Sequence, residues 1–127
     1  MSPIPPFVLI VEDSTDIALL IQAVLNNMGV ESHHASDGMK ALDFLAIRMP
    51  DLMLLDIGMP MMSGWEVLDQ VKTRWPESTF PVIVLTAFED PANKLIGKFQ
   101  NRVFRYLTKP FSPSILMETV RAALERG

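Results

Sequence analysis

Five short apolar runs are spaced along this chain, and that spacing limits its fold more than any other feature of the sequence. The runs are Phe7 to Val11, a weaker Val30 to Ala35, Leu52 to Leu55, Val82 to Leu85 and Val103 to Leu107. Runs of this length suit strands buried on both faces and are short for helices. Between them, apolar residues recur at three- and four-residue spacing, the period of a helix with one buried side. The alternation predicts an α/β fold: a five-stranded parallel sheet with right-handed crossovers and helices on both faces.

The helical segments carry their own start and stop signals. In the first, Ile17, Leu20, Ile21, Val24, Leu25 and Met28 are expected to form the buried face, with Ser14 capping the start and Gly29 the end. A second helix is predicted from Gly38 to about Ile47, with Ala41, Leu42 and Leu45 inward, and Pro50 breaks the pattern behind it. The third begins near Ser63 and ends by Trp75, because Pro76 disfavours helix in the residue before it. A fourth is predicted from Pro91 to about Gln100. The fifth has Ser112 as N-cap, Pro113 in its first turn and Leu116, Val120, Ala123 and Leu124 inward.

Composition narrows the function classes. With 127 residues, 49% of them hydrophobic, the chain has material for one compact domain. The expected extent is 1–127 with a core from 7 to 124 and no second domain. A net charge of −4 and a pI near 5.0 argue against a nucleic-acid surface, which needs clustered Lys and Arg. The absence of cysteine removes disulfides, thiolate metal sites and thiol nucleophiles together. No signal-peptide pattern opens the sequence and no apolar run reaches membrane-spanning length, so the expected location is cytoplasmic, with no membrane partner.

In open parallel sheets, ligands sit at the carboxyl ends of the strands, so the residues that follow the runs carry the chemistry. Glu12 and Asp13 follow the first, Asp56 the third, Thr86 the fourth and Lys109 the fifth. Folding is expected to bring three carboxylates, a hydroxyl and an ammonium into one cleft, a metal site beside a phosphate site. Glu12 and Asp13 offer hard oxygen ligands for a small cation such as Mg2+, which takes one or two carboxylates and fills its shell with water and phosphate oxygens. Asp56 is the natural nucleophile, able to form an acyl phosphate, while Lys109 and the cation offset the incoming charge. Thr86 can donate a hydrogen bond to a phosphoryl oxygen.

These residues resemble the response-regulator receiver family over essentially the whole chain, from Phe7 to Leu124. Val8 to Ser14, reading VLIVEDS, is similar to that family's first strand and acidic pair. Asp56-Ile57-Gly58-Met59-Pro60 with Met62-Ser63-Gly64 is similar to the phosphoacceptor loop. Leu85-Thr86-Ala87 and Tyr106-Leu107-Thr108-Lys109-Pro110-Phe111 are similar to the hydroxyl and lysine motifs. The resemblance implies a flavodoxin-like strand order of 2-1-3-4-5 and a phosphoryl group arriving from a phosphohistidine on a histidine kinase or phosphotransfer protein. It also implies that Gly58 lends a backbone carbonyl to the metal and that the Lys109-Pro110 peptide is cis. Thr86 and Tyr106 are then the switch residues. The surface of the fourth helix, fifth strand and fifth helix would meet a second copy on activation, or an effector that the sequence does not name. One departure stands out: the segment before Tyr106 reads Asn101-Arg102-Val103-Phe104-Arg105 where the family has a Gly-Ala-Asp-like stretch, in a connection about one residue longer.

Three other functions compete. A phosphatase of the haloacid dehalogenase kind also uses an Asp nucleophile with magnesium, but it carries a second Asp two residues on, where this chain has Gly58. At most slow self-dephosphorylation is expected instead. A flavin module on the same fold would want a hydroxyl-rich phosphate loop where Glu12 and Asp13 stand. A degenerate receiver that only binds partners is disfavoured by the intact set of five residues. Elsewhere, His33 and His34 are read as ordinary strand positions, since neighbours on a strand point to opposite faces. Met59, Met61 and Met62 are read as loop packing, and Trp65 and Trp75 as surface or edge packing. Arg102 and Arg105, with Lys94 and Lys98, are read as a solvated face, and Phe104 as a core position.

Overall fold

The computed structural model describes residues 4–87 and 100–126. The strands are β1 (Phe7–Val11), β2 (Glu31–Ala35), β3 (Leu52–Asp56), β4 (Val82–Thr86) and β5 (Val103–Thr108). The helices are α1 (Thr15–Asn27), α2 (Gly38–Leu45), α3 (Gly64–Arg74) and α4 (Pro113–Arg126). The strands form one parallel sheet in the order 2-1-3-4-5, the expected order. The fourth expected helix, Pro91 to Gln100, lies almost wholly outside the described residues, as do Lys94 and Lys98.

Each strand sends alternate side chains to opposite faces, and this divides the core in two. Leu9, Val11, Met53, Leu55, Val82 and Val84 pack with α2, α3 and Phe80 on one face. Val8, Ile10, Leu52, Leu54, Ile83, Leu85 and Leu107 pack with α1 and α4 on the other. The three inner strands are buried along their whole length, which is why they read as continuous apolar runs.

Local signals set the helix ends. Ser14 accepts from the Ile17 N–H, Asp37 from Lys40, Ser63 from Glu66 and Ser112 from Ile115. Gly29, at φ 73°, lets the chain turn out of α1 in the left-handed conformation open to glycine. The α1 face differs from expectation at one place. Ala18 is fully buried and Leu20 is 41% exposed, because the stripe is centred on Ala18, Ile21 and Leu25 and leaves Leu20 at its rim.

The unusual segment before Tyr106 has a physical explanation. Val82 pairs with Val103 but Ile83 pairs with Arg105, so one extra residue, Phe104, is held in a bulge on the edge strand β5. Phe104 packs against the core on the α1 and α4 face, and the Arg105 guanidinium lies 5.0 Å from its ring centroid. Beyond the bulge the ladder is regular, and Tyr106 sits opposite Val84, on the α3 face. Without that bulge, the pairing that starts at Val103 would turn Tyr106 to the other face.

Arg102 is not the solvated residue the sequence led us to expect. It is half-buried and donates to the Ser78 carbonyl at 2.8 Å, the Ser78 hydroxyl at 3.0 Å and the Phe80 carbonyl at 3.2 Å, while lying over the Phe80 ring. Burial holds its pKa below the ordinary arginine value. Among the three loop methionines, Met59 and Met62 pack inward, whereas Met61 is fully exposed with φ 70°.

Candidate phosphoacceptor and metal site

β1, β3, β4 and β5 stop at the same level, and the residues at their ends face one cleft of about 420 Å³. Asp13, Asp56, Ile57, Gly58, Thr86, Ala87 and Lys109 line it. Every residue singled out from the strand ends lies in this cleft or against it; Tyr106 is set back, on the α3 face below Thr86. Glu12 and Asp56 are buried, and Asp13 is exposed at the mouth.

Lys109 ties the carboxylates together. Its ammonium is 2.6 Å from Glu12 Oε1 and 3.3 Å from Asp56 Oδ2. Its backbone N–H donates to the Thr86 carbonyl at 2.7 Å, which fixes the loop after β5 to the end of β4. The peptide between Lys109 and Pro110 is cis. The second Glu12 oxygen accepts from the Ser14 N–H at 3.1 Å, and Asp56 Oδ1 accepts from the Gly58 N–H at 2.8 Å.

Charge at this site is unevenly matched. Burial pushes the Glu12 carboxyl up to about 7, against the Lys109 and Ser14 hydrogen bonds that pull it down, and the negative charge of Asp56 adds to the rise. Burial also works against the Lys109 ammonium, but the hydrogen bond and charge of Glu12 and the charge of Asp56 outweigh it, so its pKa lies above the ordinary lysine value. Glu12, Asp13 and Asp56 each offer an oxygen within 4.8 Å of the others. Three hard carboxylate donors, only two of them paired with the Lys109 ammonium, beside an open cleft, suit a small divalent cation with room for water.

Two residues have roles that the sequence reading did not assign, although Gly64 was named in the loop motif. A Cβ on Gly64 would lie 2.8 Å from the Asp56 carbonyl oxygen, so α3 approaches the β3 end as closely as it does only because residue 64 lacks one. Its signal was a glycine directly after an N-cap serine. His34, read as an ordinary strand residue, has Nε2 2.6 Å from the Glu12 carbonyl oxygen. Only its position at the end of β2, beside the acidic pair, could have suggested this.

Comparison with known proteins agrees with this geometry. Residues 8–121 match the response regulator receiver domain family. The chain is 37% identical over 119 residues to a protein named probable transcriptional regulator ycf27 of Guillardia theta, covering 94% of this chain and 45% of that protein. It is 35% identical over 120 residues to the alkaline phosphatase synthesis transcriptional regulatory protein PhoP of Bacillus subtilis, covering 94% and 49%. The chain thus spans about half the length of these curated relatives. The chemotaxis protein CheY4 of Vibrio cholerae superposes with a TM-score of 0.88 at 30% identity, over 95% of this chain and all of that one. A match that takes in all five strands and the cleft at their ends places this chain in the response regulator receiver domain family of two-component signalling.

Proposed function

We propose that Asp56 is the phosphoacceptor and that the whole chain, 1–127, works as one receiver switch. The observation that carries this is the convergence of Asp56, Lys109 and the acidic pair at the ends of different strands, in a cleft also lined by Thr86. A carboxylate oxygen of Asp56 bonds to phosphorus as the P–N bond of a donor phosphohistidine breaks, and the imidazole leaves with the electron pair. The donor is a histidine kinase or a histidine phosphotransfer protein.

Lys109, already within reach of Asp56, moves its ammonium to the incoming phosphoryl oxygens, and Thr86 donates its hydroxyl to another. Glu12, Asp13, Asp56 and the Gly58 carbonyl would hold a magnesium ion, which offsets the phosphoryl charge when bound. With Gly58 where a hydrolase would place an acid, the chain works as a timer with slow self-dephosphorylation. No helix among the described residues is long and apolar enough to cross a membrane, which supports a cytoplasmic receiver without a membrane partner.

Incubation with acetyl phosphate and magnesium, read by intact mass, is expected to add one labile phosphoryl group to the wild type and none to Asp56→Asn. Equal labelling of that variant would overturn the assignment.

Output follows from Thr86 and Tyr106, which lie on the same face of neighbouring strands. Drawing the Thr86 hydroxyl toward the phosphoryl group opens space behind it for the Tyr106 ring, and the surface around β5 and α4 changes with it. That surface is where a second copy, or an effector, is read to bind. Beryllofluoride with magnesium is expected to change amide exchange across residues 86 to 112 and to shift self-association, and Thr86→Ala to blunt both. No change in either quantity would refute the switch.

A further inference from the structure

The acidic pair is held from β2 as well as from within its own loop. β1 pairs with β2 and β3 only as far as Val11. Glu12 is therefore the first residue past the regular ladder, and the peptide it shares with Asp13 carries the chain out toward the cleft. The Glu12 N–H still donates to the Ala35 carbonyl, at 3.2 Å. On its other side, the carbonyl oxygen meets His34 Nε2 at 2.6 Å. A carbonyl can only accept, so Nε2 carries the proton and donates it. A side chain thus supplies one more rung where the backbone ladder ends.

The position of this bond gives it its importance. The Glu12 carboxylate is fixed by Ser14 and Lys109, but Asp13 is exposed. What aims Asp13 is the plane of the peptide before it, and His34 holds the oxygen of that peptide. His33, the neighbouring histidine, points to the other face and stacks on Phe44 with ring centroids 4.0 Å apart, so the two histidines do different work.

We infer that His34 is a positioning residue for the metal site, orienting the Glu12–Asp13 peptide so that the Asp13 carboxylate faces the cleft beside Glu12 and Asp56. The inference rests on the proposed reading of Glu12, Asp13 and Asp56 as cation ligands. Its test uses magnesium itself as the probe, with affinity measured by calorimetric titration and metal-free stability measured by urea unfolding. His34→Phe keeps the ring volume and removes the donor; His34→Gln restores an N–H at a similar reach. Loss of an outer hydrogen bond to a ligand-bearing group typically weakens metal binding about tenfold or more, and His34→Phe is expected at the low end of that range. His34→Gln is expected to recover most of the lost affinity.

A purely structural histidine would change unfolding in both variants and leave their magnesium affinities equal. Asp13→Asn serves as the control for the underlying reading. If it weakens magnesium binding while His34→Phe binds as tightly as wild type, or if His34→Gln gives no rescue, His34 does not position the site. If Asp13→Asn itself binds magnesium unchanged, the ligand reading fails and this inference falls with it.

Discussion

The two ends of the sheet solve opposite electrostatic problems. At the amino ends of the strands Arg48, Asp51 and Arg102 each have a partner of their own. Arg48 pairs with Glu31 at 2.7 Å and lies over the Phe7 ring, Asp51 accepts from the Phe7 N–H at 2.7 Å, and Arg102 is spent on the Ser78 and Phe80 oxygens. A surface depression of about 640 Å³ is also at that end, lined by Pro5, Pro6, Pro50, Phe80 and Pro81 among others. Its size exceeds that of the cleft, yet its residues bring together no cluster that could hold a metal ion. At the carboxyl ends, three carboxylates gather and two of them, Glu12 and Asp56, share one lysine. The first arrangement is complete as it stands, and the second leaves a surplus of negative charge that the proposed magnesium ion would offset. That surplus of negative charge, more than concavity, distinguishes the cleft proposed as the phosphoacceptor site.

Removing the Lys109 ammonium from the carboxyl end is expected to have the largest effect on stability. Lys109→Ala leaves Glu12 and Asp56 buried without their ammonium, a change that costs about 3 kcal/mol when a buried pair is broken from one side. Urea unfolding at pH 8 without magnesium checks this. A loss well under 1 kcal/mol would mean that the lysine is not balancing the site.

The second test uses pH, for which the two ends have opposite signs. Burial raises the folded pKa of Glu12 from 4.5 to about 7, so folding takes up a proton in that range. Stability from this group is fully present below pH 4.5 and is lost as pH rises through 7, on the order of 2 kcal/mol in the metal-free protein. The Arg48 hydrogen bond lowers the pKa of Glu31, so its contribution is present above pH 4.5 and fades as pH falls through the depressed value. Unfolding measured from pH 4 to 8 is expected to show the Glu12 loss without magnesium and a flatter curve with it. A flat metal-free curve would remove the contrast between the ends.

Arg102→Ala sharpens the comparison from the other side, with the smallest effect of the three. Its hydrogen bonds are exchanged for bonds to water on unfolding, so the net loss is about 1 kcal/mol. Phosphorylation by acetyl phosphate is expected to continue at the wild-type rate, since the Arg102 side chain bonds only to the loop before β4. A reduced rate would show that the two ends are coupled.

Much of this was legible in the sequence, and the reasons are physical. A strand buried on both faces must be apolar throughout, so β1, β3 and β4 were recognisable together with the polar residues that end them. The N-caps Ser14 and Ser112 were legible because an N-cap needs a side-chain acceptor in one place, whereas the Asp37 cap of α2 was not read. Leu20 misled because a helical period fixes which stripe is apolar but not where that stripe is centred, and Ala18 is small enough to be overlooked. Contacts that depend on neighbouring strands were hidden: the Arg102 bonds to the loop before β4, the reach of His34 to Glu12, and the bulge at Phe104. The longer connection before Tyr106 was visible, but only the pairing of β4 with β5 shows where the extra residue is absorbed.

That bulge acts as a shim. It lets the polypeptide be one residue longer on the outermost strand while everything beyond it keeps its place, since Arg105 already pairs with the next position on β4. Excising Phe104 would therefore leave a straight strand with Thr86 still opposite Thr108 and Lys109 still at its end, at the cost of one apolar contact. An insertion after Tyr106 has no such buffer and would displace the lysine directly. In a chimera with a relative that lacks the extra residue, a crossover between Tyr106 and Lys109 should be tolerated, because both chains are in the same register there.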